Sequence, residues 1–578
     1  MSNMRATIAG GARWQEVAAD CQQHRDATIA KIYPPIPDTQ ALEGLFAGRD
    51  PRDVSSIPTL VLSEEELAIT SANVEDLVSR LASGEWSAST VLKAFLRRAA
   101  LAQRLVNCVT EMLSETALKR AAELDEHLAV HGKPIGPLHG VPISVKEHIA
   151  MKGLDVNGGY VSEVGRVAEE DALILSILRD AGAIFYVRTT EPQSSMHLET
   201  SSSLYGETVN PFNTTLTSGG SSGGEGAIIA MRGSVLGVGS DIGGSIRSPA
   251  HCNGIFGFKP TAGRLPTLGW FALMVGSEAI HATTGPLSTS IEGLRLFTKT
   301  LLDAKPWLQD PSLTPMEWRD MSTAFAGRRL KVAVMWDDGV VKPHPPVTRA
   351  LKSVVKALKK SEKIEVVDWK PWKHDLAWSI IAGLYFCDGG AQLNAAFEAA
   401  KEPLRPLSHW ILKENPHVKH HSIASLWSAC AERDAYRLKY AELWNDTAKG
   451  GSGQVDVILC PAGPGAAPKL NTSRYWGYTA QWNLLDYPAV VFPTGDIVSV
   501  EKDGAAGEQG GGDPASGADL DNWSLWTEHG AEGYSNAPLA LQLVARRYDD
   551  EKLLHALEMV MKEGGTTHGD RRRSQGPP

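Results

Sequence analysis

The chain has 578 residues, of which 43% are hydrophobic and 21% charged, a composition that excludes a largely disordered or fibrous protein. Its formal net charge of -10 means that the surface lacks the overall positive charge that would attract nucleic acid, so nucleic-acid binding is disfavoured. No stretch has the roughly 18 apolar residues of a membrane span. Six scattered cysteines without a C-x-x-C pair, and an N-terminus without the apolar run of a signal peptide, predict a reduced cytoplasmic protein.

The first predicted element is a helix over residues 12–32, which ends before the segment Pro34-Pro-Ile-Pro37. These prolines predict an extended connector that leads to Glu64. We therefore expect residues 1–70 to form an N-terminal helical arm and linker, packed on the body of the protein. Such an arm is able to form the contact of a homodimer.

Helical and apolar strand-like segments alternate along the rest of the chain. Helices are predicted for Val74 to Leu81, Thr90 to Leu101, Glu115 to Val130, Asp171 to Asp180 and parts of Leu384 to Trp444. Strands are predicted for Val141 to Val145, Ala183 to Val187, Leu330 to Met335, Ile364 to Val367, Val455 to Leu459, Val490 to Phe492 and Leu539 to Val544. This alternation predicts an α/β fold.

Two later segments have the composition of irregular chain. Residues 503–518 contain, apart from Pro514, no apolar side chain larger than alanine, which predicts a flexible insertion. Residues 563–578 include the Arg571-Arg-Arg573 cluster and end in Gln575-Gly-Pro-Pro578, which predicts a disordered tail.

The most informative segments are two loops rich in glycine and serine, Thr217 to Ala227 and Gly237 to Arg247. Lys146 precedes both at the end of a predicted strand. Glycine lets backbone N–H groups approach a ligand closely, and serine supplies a nucleophile and proton-relay hydroxyls. Because such loops cost entropy to order, chemistry is the favoured reason for two of them.

Cleavage of an amide bond needs a nucleophile, a base, an acid for the leaving nitrogen and donors for the oxyanion. Ser245 is the candidate nucleophile. A buried Lys146 serves as base when neutral, and Ser221 would pass protons between them. The predicted oxyanion donors are the backbone N–H groups of Ile242, Gly243, Gly244 and Ser245.

Three motifs carry a family resemblance: Val141-Pro-Ile-Ser-Val-Lys-Glu147, Gly219-Gly-Ser-Ser-Gly-Gly-Glu225 and Asp241-Ile-Gly-Gly-Ser-Ile-Arg247. They resemble the amidase signature family, and the resemblance extends over about residues 71–562. Trp482-Asn-Leu-Leu-Asp-Tyr-Pro488 and Ala537-Pro-Leu-Ala-Leu-Gln542 are most similar to fungal acetamidase-like members.

This resemblance implies one catalytic domain over residues 71–562, built on a large twisted mixed β-sheet surrounded by helices. It implies a Ser-Ser-Lys triad of Ser245, Ser221 and Lys146, with a cis peptide between Gly220 and Ser221. It also implies amide substrates with small or medium acyl groups. The residues implied in substrate binding are Ser194, Ser195, Met196, Tyr205, Gly219 and Gly220.

Several neighbours of the triad have a second interpretation. Ser222 is either the relay in place of Ser221 or a supporting donor. Asp241 and Arg247 are interpreted as an ion pair that anchors the loop. The side chain of Glu147 is expected to point away from Lys146, because a nearby carboxylate would raise the pKa of the lysine.

Other site types fit less well. Gly219-Gly-Ser-Ser-Gly223 matches the nucleophile elbow of α/β-hydrolases, but the segment before it is polar and contains a proline instead of a buried strand. The histidines near residue 420 lack the spacing of a metal site. We therefore expect no metal and no cofactor.

The sequence thus predicts an amidase that hydrolyses the C–N bond of carboxylic amides through an acyl-enzyme on Ser245. Two alternatives stay open at this point. One is an amidotransferase-type subunit that makes ammonia for a partner, and the other is a non-catalytic binding protein that keeps the fold.

Overall fold

The computed structural model describes residues 13–449, 453–504 and 516–566. An eleven-stranded sheet forms the centre of the molecule. From edge to edge its strands are Val109–Met112, Ile184–Thr189, Pro142–Lys146, Leu236–Asp241, Thr283–Ser288, Phe256–Lys259, Ala489–Ile497, Pro538–Val544, Val457–Pro461, Leu330–Val334 and Ile364–Asp368. Pairing is parallel around Pro142–Lys146 and Leu330–Val334 and antiparallel elsewhere, so the predicted mixed sheet is confirmed.

Helices surround this sheet. The α-helices are Trp14–Ile29, Thr39–Gly44, Pro58–Val61, Glu64–Ser71, Val74–Ser83, Ala88–Val106, Ser114–His131, Leu173–Asp180, Gly223–Ala230, Arg247–Asn253, Ile291–Asp303, Pro345–Leu358, His374–Tyr385, Ala391–Ala399, Pro406–His409, Ile423–Asp446, Gly477–Leu484, Val500–Asp503, Gly517–Gly533 and Asp550–Gly564. Within the described ranges, no helix is long and apolar enough to cross a membrane.

The strand Leu330–Val334 shows why both faces of the sheet are covered. Val332 and Val334 pack in one apolar cluster with the helices Pro345–Leu358 and Asp550–Gly564. Ala333 between them belongs to a second cluster, on the side of the helix His374–Tyr385. Since successive side chains of a strand point to opposite faces, an apolar residue at every position requires helices on both sides.

The first described helix, Trp14–Ile29, packs on the body of the protein as expected. Its residues Val17, Ala18 and Cys21 are buried against Val161, Val164 and Leu204. The side-chain amide of Gln22 donates to the carbonyl of Leu204 at 2.8 Å. The dimer contact of the arm stays a prediction.

The predicted insertion is bounded by ordered contacts on both sides. Asp503 ends a short helix and accepts a hydrogen bond from Arg349 Nε at 2.6 Å. Ser516 Oγ accepts the N–H of Asp519 at 3.0 Å and so caps the helix Gly517–Gly533. Residues 505–515 of the insertion, and residues 567–578 of the predicted tail, lie outside the described residues. The helix Gly517–Gly533 begins inside the predicted insertion, and the helix Asp550–Gly564 continues into the predicted tail, so both segments were predicted too long.

The sequence pattern missed four strands of the central sheet, Val109–Met112, Leu236–Asp241, Phe256–Lys259 and Thr283–Ser288. All residues of Leu236–Asp241 except Leu236 lie in the segment that was expected to be a glycine-rich loop. All six of its residues are buried, so it has no alternation of polar and apolar positions. Its glycines allow close packing: a Cβ on Gly237 would lie 1.8 Å from Glu225 Oε2.

Candidate active site

Parallel pairing places the candidate residues at one edge of the sheet. The strand Pro142–Lys146 pairs in parallel with Ile184–Thr189 on one side and with Leu236–Asp241 on the other. Because parallel strands end at the same edge, Lys146 lies beside the loop that follows Asp241. The first glycine-serine loop joins them, since the N–H of Ser222 donates to the carbonyl of Ser245 at 3.0 Å.

Lys146 is fully buried, and its amine contacts two serines. Nζ donates to Ser221 Oγ at 2.5 Å and to Ser240 Oγ at 3.1 Å. Burial lowers the pKa of Lys146 to about 8, while the carboxylate of Glu191 acts in the opposite direction. A substantial fraction of this lysine is therefore neutral near physiological pH, as a general base requires.

The two adjacent serines of the first loop have different contacts. The peptide between Gly220 and Ser221 is cis, as the resemblance implies, and the Ser221 hydroxyl meets Lys146. The Ser222 hydroxyl lies 3.4 Å from the carbonyl oxygen of Ser240. The geometry thus brings Ser221, and not Ser222, into contact with the amine.

Asp241 and Arg247 form the expected buried ion pair, with 2.9 Å between Asp241 Oδ1 and Arg247 Nη2. Asp241 also accepts backbone N–H groups from Gly244 at 2.9 Å and Ile246 at 3.1 Å. The pair therefore fixes the backbone of the loop that carries Ser245.

One predicted oxyanion donor is occupied. The N–H of Gly244 is taken by Asp241, because the positive φ of 137° at Gly244 belongs to a turn that closes on this carboxylate. Among the described residues, no acceptor is found for the N–H groups of Ile242, Gly243 and Ser245. The set of available donors is thus three instead of the predicted four. Ser245 itself is 5% exposed.

Three of the residues expected to bind substrate, Ser194, Ser195 and Met196, are consecutive in the chain. Ser195 Oγ donates to Glu191 at 2.6 Å, and Ser194 Oγ is buried without a partner among the described residues. Met196 packs in the aromatic cluster that contains Tyr385 and Trp476.

Gly219 and Gly220 serve close packing. A Cβ on Gly219 would lie 2.8 Å from the backbone of Ser248 and Pro249, and one on Gly220 would lie 2.3 Å from the carbonyl oxygen of Glu199.

Tyr205 is placed differently from the expectation. It packs against the apolar cluster of Val17, Ala18 and Cys21 under the N-terminal helix, and the Arg25 guanidinium lies 6.0 Å from its ring centroid. It lies in the turn of the hairpin that pairs Ser201–Ser202 with Gly206–Glu207. Tyr205 is therefore better explained by docking of the N-terminal arm than by an acyl pocket.

A family model described as Amidase matches residues 90–554 of the chain. The chain belongs to the amidase family. It is 39% identical to an acetamidase of Emericella nidulans, over 95% of this chain and 98% of that protein. It is 36% identical to an acetamidase of Aspergillus oryzae, over 95% and 99%. The solved structure of a fatty acid amide hydrolase matches with a TM-score of 0.89 and 35% identity, over 98% of this chain and 97% of that one. The predicted family and fold are confirmed.

Sequence reasoning missed two groups beside the site of this amidase. Glu191 and His148 are both buried, with 2.8 Å between Glu191 Oε2 and His148 Nδ1, and the carboxylate lies 3.6 Å from Lys146 Nζ. The signal was the position of Glu191, just after a strand that neighbours the lysine strand.

Glu147 points away from Lys146, as expected. Its carboxylate accepts the N–H groups of Asn157 and Gly158, both at 2.9 Å, and lies 3.4 Å from Arg188.

An aromatic cluster and Thr479 lie beside the loop of Ser245. The hydroxyl of Tyr385 donates to the carbonyl of Ile242 at 2.9 Å, and Thr479 Oγ1 donates to the carbonyl of Gly243 at 2.7 Å. Trp378 and Trp410 pack on Trp476, with ring centroids 5.7 and 6.4 Å from it. The wall beside the candidate oxyanion donors is therefore largely apolar.

Proposed function

We propose that this member of the amidase family hydrolyses linear carboxylic amides to carboxylate and ammonia or amine, through an acyl-enzyme on Ser245. The observation that carries the proposal is the 2.5 Å contact between Lys146 Nζ and Ser221 Oγ in a fully buried setting. A buried amine with a depressed pKa, in contact with a hydroxyl, is suited to draw a proton from a second serine.

In the proposed cycle, Ser245 Oγ attacks the amide carbonyl carbon and its proton passes through Ser221 to Lys146. The carbonyl oxygen becomes an oxyanion that accepts hydrogen bonds from the N–H groups of Ile242, Gly243 and Ser245. The proton then returns through Ser221 to the leaving nitrogen, and the C–N bond breaks. Water, activated by the same relay, hydrolyses the acyl-enzyme and restores Ser245.

The apolar wall beside the loop supports amides with an apolar acyl group as substrates. The relatives named acetamidase support a small acyl group. A panel of acetamide, hexanoamide, benzamide, an anilide and ethyl carbamate separates these preferences, with kcat/KM as the measured quantity. We expect the simple amides to be cleaved faster than the anilide and the carbamate.

The acyl-enzyme is tested by labelling the purified chain with a fluorophosphonate and locating the adduct by peptide mass spectrometry. We expect one adduct on Ser245, and neither adduct nor turnover in Ser245→Ala. An adduct on Ser221 or Ser222 with undiminished turnover in Ser245→Ala would refute the assignment. Turnover of simple amides by the isolated chain also argues against a dependent amidotransferase subunit.

A further inference from the structure

We propose that Glu191 is a positioning residue that holds the amine of Lys146 in place and compensates its charge each time it receives the relayed proton. This inference rests on the proposed function, because it assigns a role within the same relay. It adds a carboxylate next to Lys146 to the relay of Ser221 and Ser245.

The geometry places Glu191 directly behind the base. Thr189, at the end of the neighbouring strand, is the register partner of Lys146, so Glu191 follows two residues after the position paired with the lysine. The carboxylate oxygen Oε2 lies 3.6 Å from Lys146 Nζ, and both side chains are at most 1% exposed. Among the ion pairs of the described residues, Glu191 is the carboxylate partner of Lys146.

Two further donors fix this carboxylate. Ser195 Oγ donates to Glu191 Oε2 at 2.6 Å, and His148 Nδ1 lies 2.8 Å from the same oxygen. Since a carboxylate only accepts, His148 carries its proton on Nδ1. Burial lowers the pKa of His148, while the carboxylate of Glu191 acts in the opposite direction.

The same contacts keep Glu191 ionised. Burial raises its pKa, but His148, Lys146 and Ser195 together lower it to about 2. The ionised carboxylate of Glu191 therefore lies beside the lysine amine in a buried region.

The other carboxylates around the lysine have partners of their own. Asp241 is paired with Arg247, and Glu147 faces Arg188. Glu225 accepts hydrogen bonds from Ser144 at 2.6 Å and Thr189 at 2.7 Å, and burial raises its pKa to about 7. This leaves Glu191 as the carboxylate that compensates the ammonium.

The consequence for the relay is a balance between two opposing effects. Burial alone favours the neutral amine. It therefore also makes the ammonium that forms in the transition state less stable, which weakens the base. The carboxylate stabilises the ammonium that forms when the proton of Ser245 arrives through Ser221. In Ser-His-Asp hydrolases, the buried aspartate stabilises the imidazolium of the histidine in the same way.

The test is the pH dependence of hexanoamide hydrolysis by Glu191→Gln. We expect kcat to fall about 10-fold with KM nearly unchanged, because the variant loses the stabilisation of the ammonium that forms on proton transfer, and one pKa unit of that stabilisation is worth a factor of about ten. We also expect the midpoint of the acidic limb of kcat/KM to move to lower pH by about one unit, because an amide cannot stabilise the ammonium. Glu191→Asp should restore part of both changes.

A second variant keeps the test informative if Glu191→Gln does not fold. Ser195→Ala removes one hydrogen-bond donor from Glu191 Oε2, so the carboxylate interacts more strongly with the ammonium of Lys146. We expect the midpoint to move to higher pH, opposite to Glu191→Gln. Asp338→Asn is the matched control, since Asp338 is a buried carboxylate that contacts Tyr475 and lies in no ion pair with Lys146.

The outcomes separate the two proposals. If Ser245→Ala is inactive and Lys146→Ala is strongly impaired, while Glu191→Gln keeps the wild-type midpoint or shares a shift with Asp338→Asn, the role of Glu191 is refuted and the amidase cycle stands. If Lys146→Ala retains the wild-type rate and midpoint, the relay itself fails.

Discussion

The phenol of Tyr385 donates a 2.9 Å hydrogen bond to the carbonyl oxygen of Ile242, at the first residue of the loop that ends in Ser245. This carbonyl belongs to the peptide whose N–H is that of Gly243, one of the proposed oxyanion donors. A side chain from the helix His374–Tyr385 thus orients a peptide plane of the site from behind.

We expect Tyr385→Phe to lower kcat by about 10-fold, because the Ile242–Gly243 peptide loses its orienting donor and oxyanion contacts are sensitive to geometry. Tyr436→Phe is the control: Tyr436 is also buried and donates to the carbonyl of Trp372 at 3.0 Å. Both variants should lose about 1 kcal/mol of stability, but only Tyr385→Phe should lose activity. Equal kcat values in the two variants would contradict the orienting role.

The pH profile reports on Lys146. The lysine acts as base in its neutral form, and its pKa is lowered to about 8, so kcat/KM should rise with pH through this value and level off above it. In Lys146→Ala we expect kcat/KM to be about 1,000-fold lower and to increase with hydroxide concentration without levelling off.

Lys259 offers a matched control for this profile. It is also buried, and burial lowers its pKa to about 8. Its amine donates to the carbonyl of Pro260 and not to a serine of the site. The kcat/KM profile of Lys259→Met should therefore keep its midpoint near pH 8. Loss of the midpoint in this variant would show that it belongs to Lys259 and not to Lys146.

The neighbouring serines of the first loop should differ in their effect on rate. Ser221 contacts Lys146, whereas the Ser222 hydroxyl lies near the carbonyl of Ser240. We expect Ser221→Ala to lower kcat by about 1,000-fold and Ser222→Ala by less than about 10-fold. Steady-state hydrolysis of hexanoamide measures both, and the reverse order would make Ser222 the relay.

A methyl group at Gly243 should be enough to disturb the site. A Cβ there would lie 2.7 Å from the Tyr385 hydroxyl and 3.3 Å from the Trp476 ring. We expect Gly243→Ala to lower kcat/KM by about 100-fold, because the N–H of this residue would shift from its position. Gly44→Ala, where no atom lies within 4 Å of the added Cβ, should leave kcat/KM unchanged.

Loss of one member of the Asp241–Arg247 pair should lower stability. Asp241→Asn leaves a buried guanidinium without its counter-charge, which costs about 3 kcal/mol or more. Asp303→Asn removes an exposed partner of Lys299 and should cost less than about 1 kcal/mol. Thermal unfolding compares the two, and similar Tm values would show that the pair does not anchor the loop.

Much of the fold and of the candidate site followed from local sequence. Apolar runs placed the strand before Lys146, and amphipathic spacing placed the helices Val74–Ser83 and Ala88–Val106. The strand Leu236–Asp241 could not be found in this way, because a strand buried on both faces has no alternating pattern and this one is rich in glycine.

The sequence by itself determined the family, the candidate Lys146, Ser221 and Ser245, and the Asp241–Arg247 pair, because short motifs of small and ionisable residues carry this information. Only the tertiary structure decided which hydroxyl meets the amine, which N–H groups are free and which carboxylate lies behind the lysine. The physical reason is that these relations join strands and loops distant in sequence, such as Lys146 with Glu191 and Ile242 with Tyr385. They depend on sheet register and packing, which no local pattern encodes.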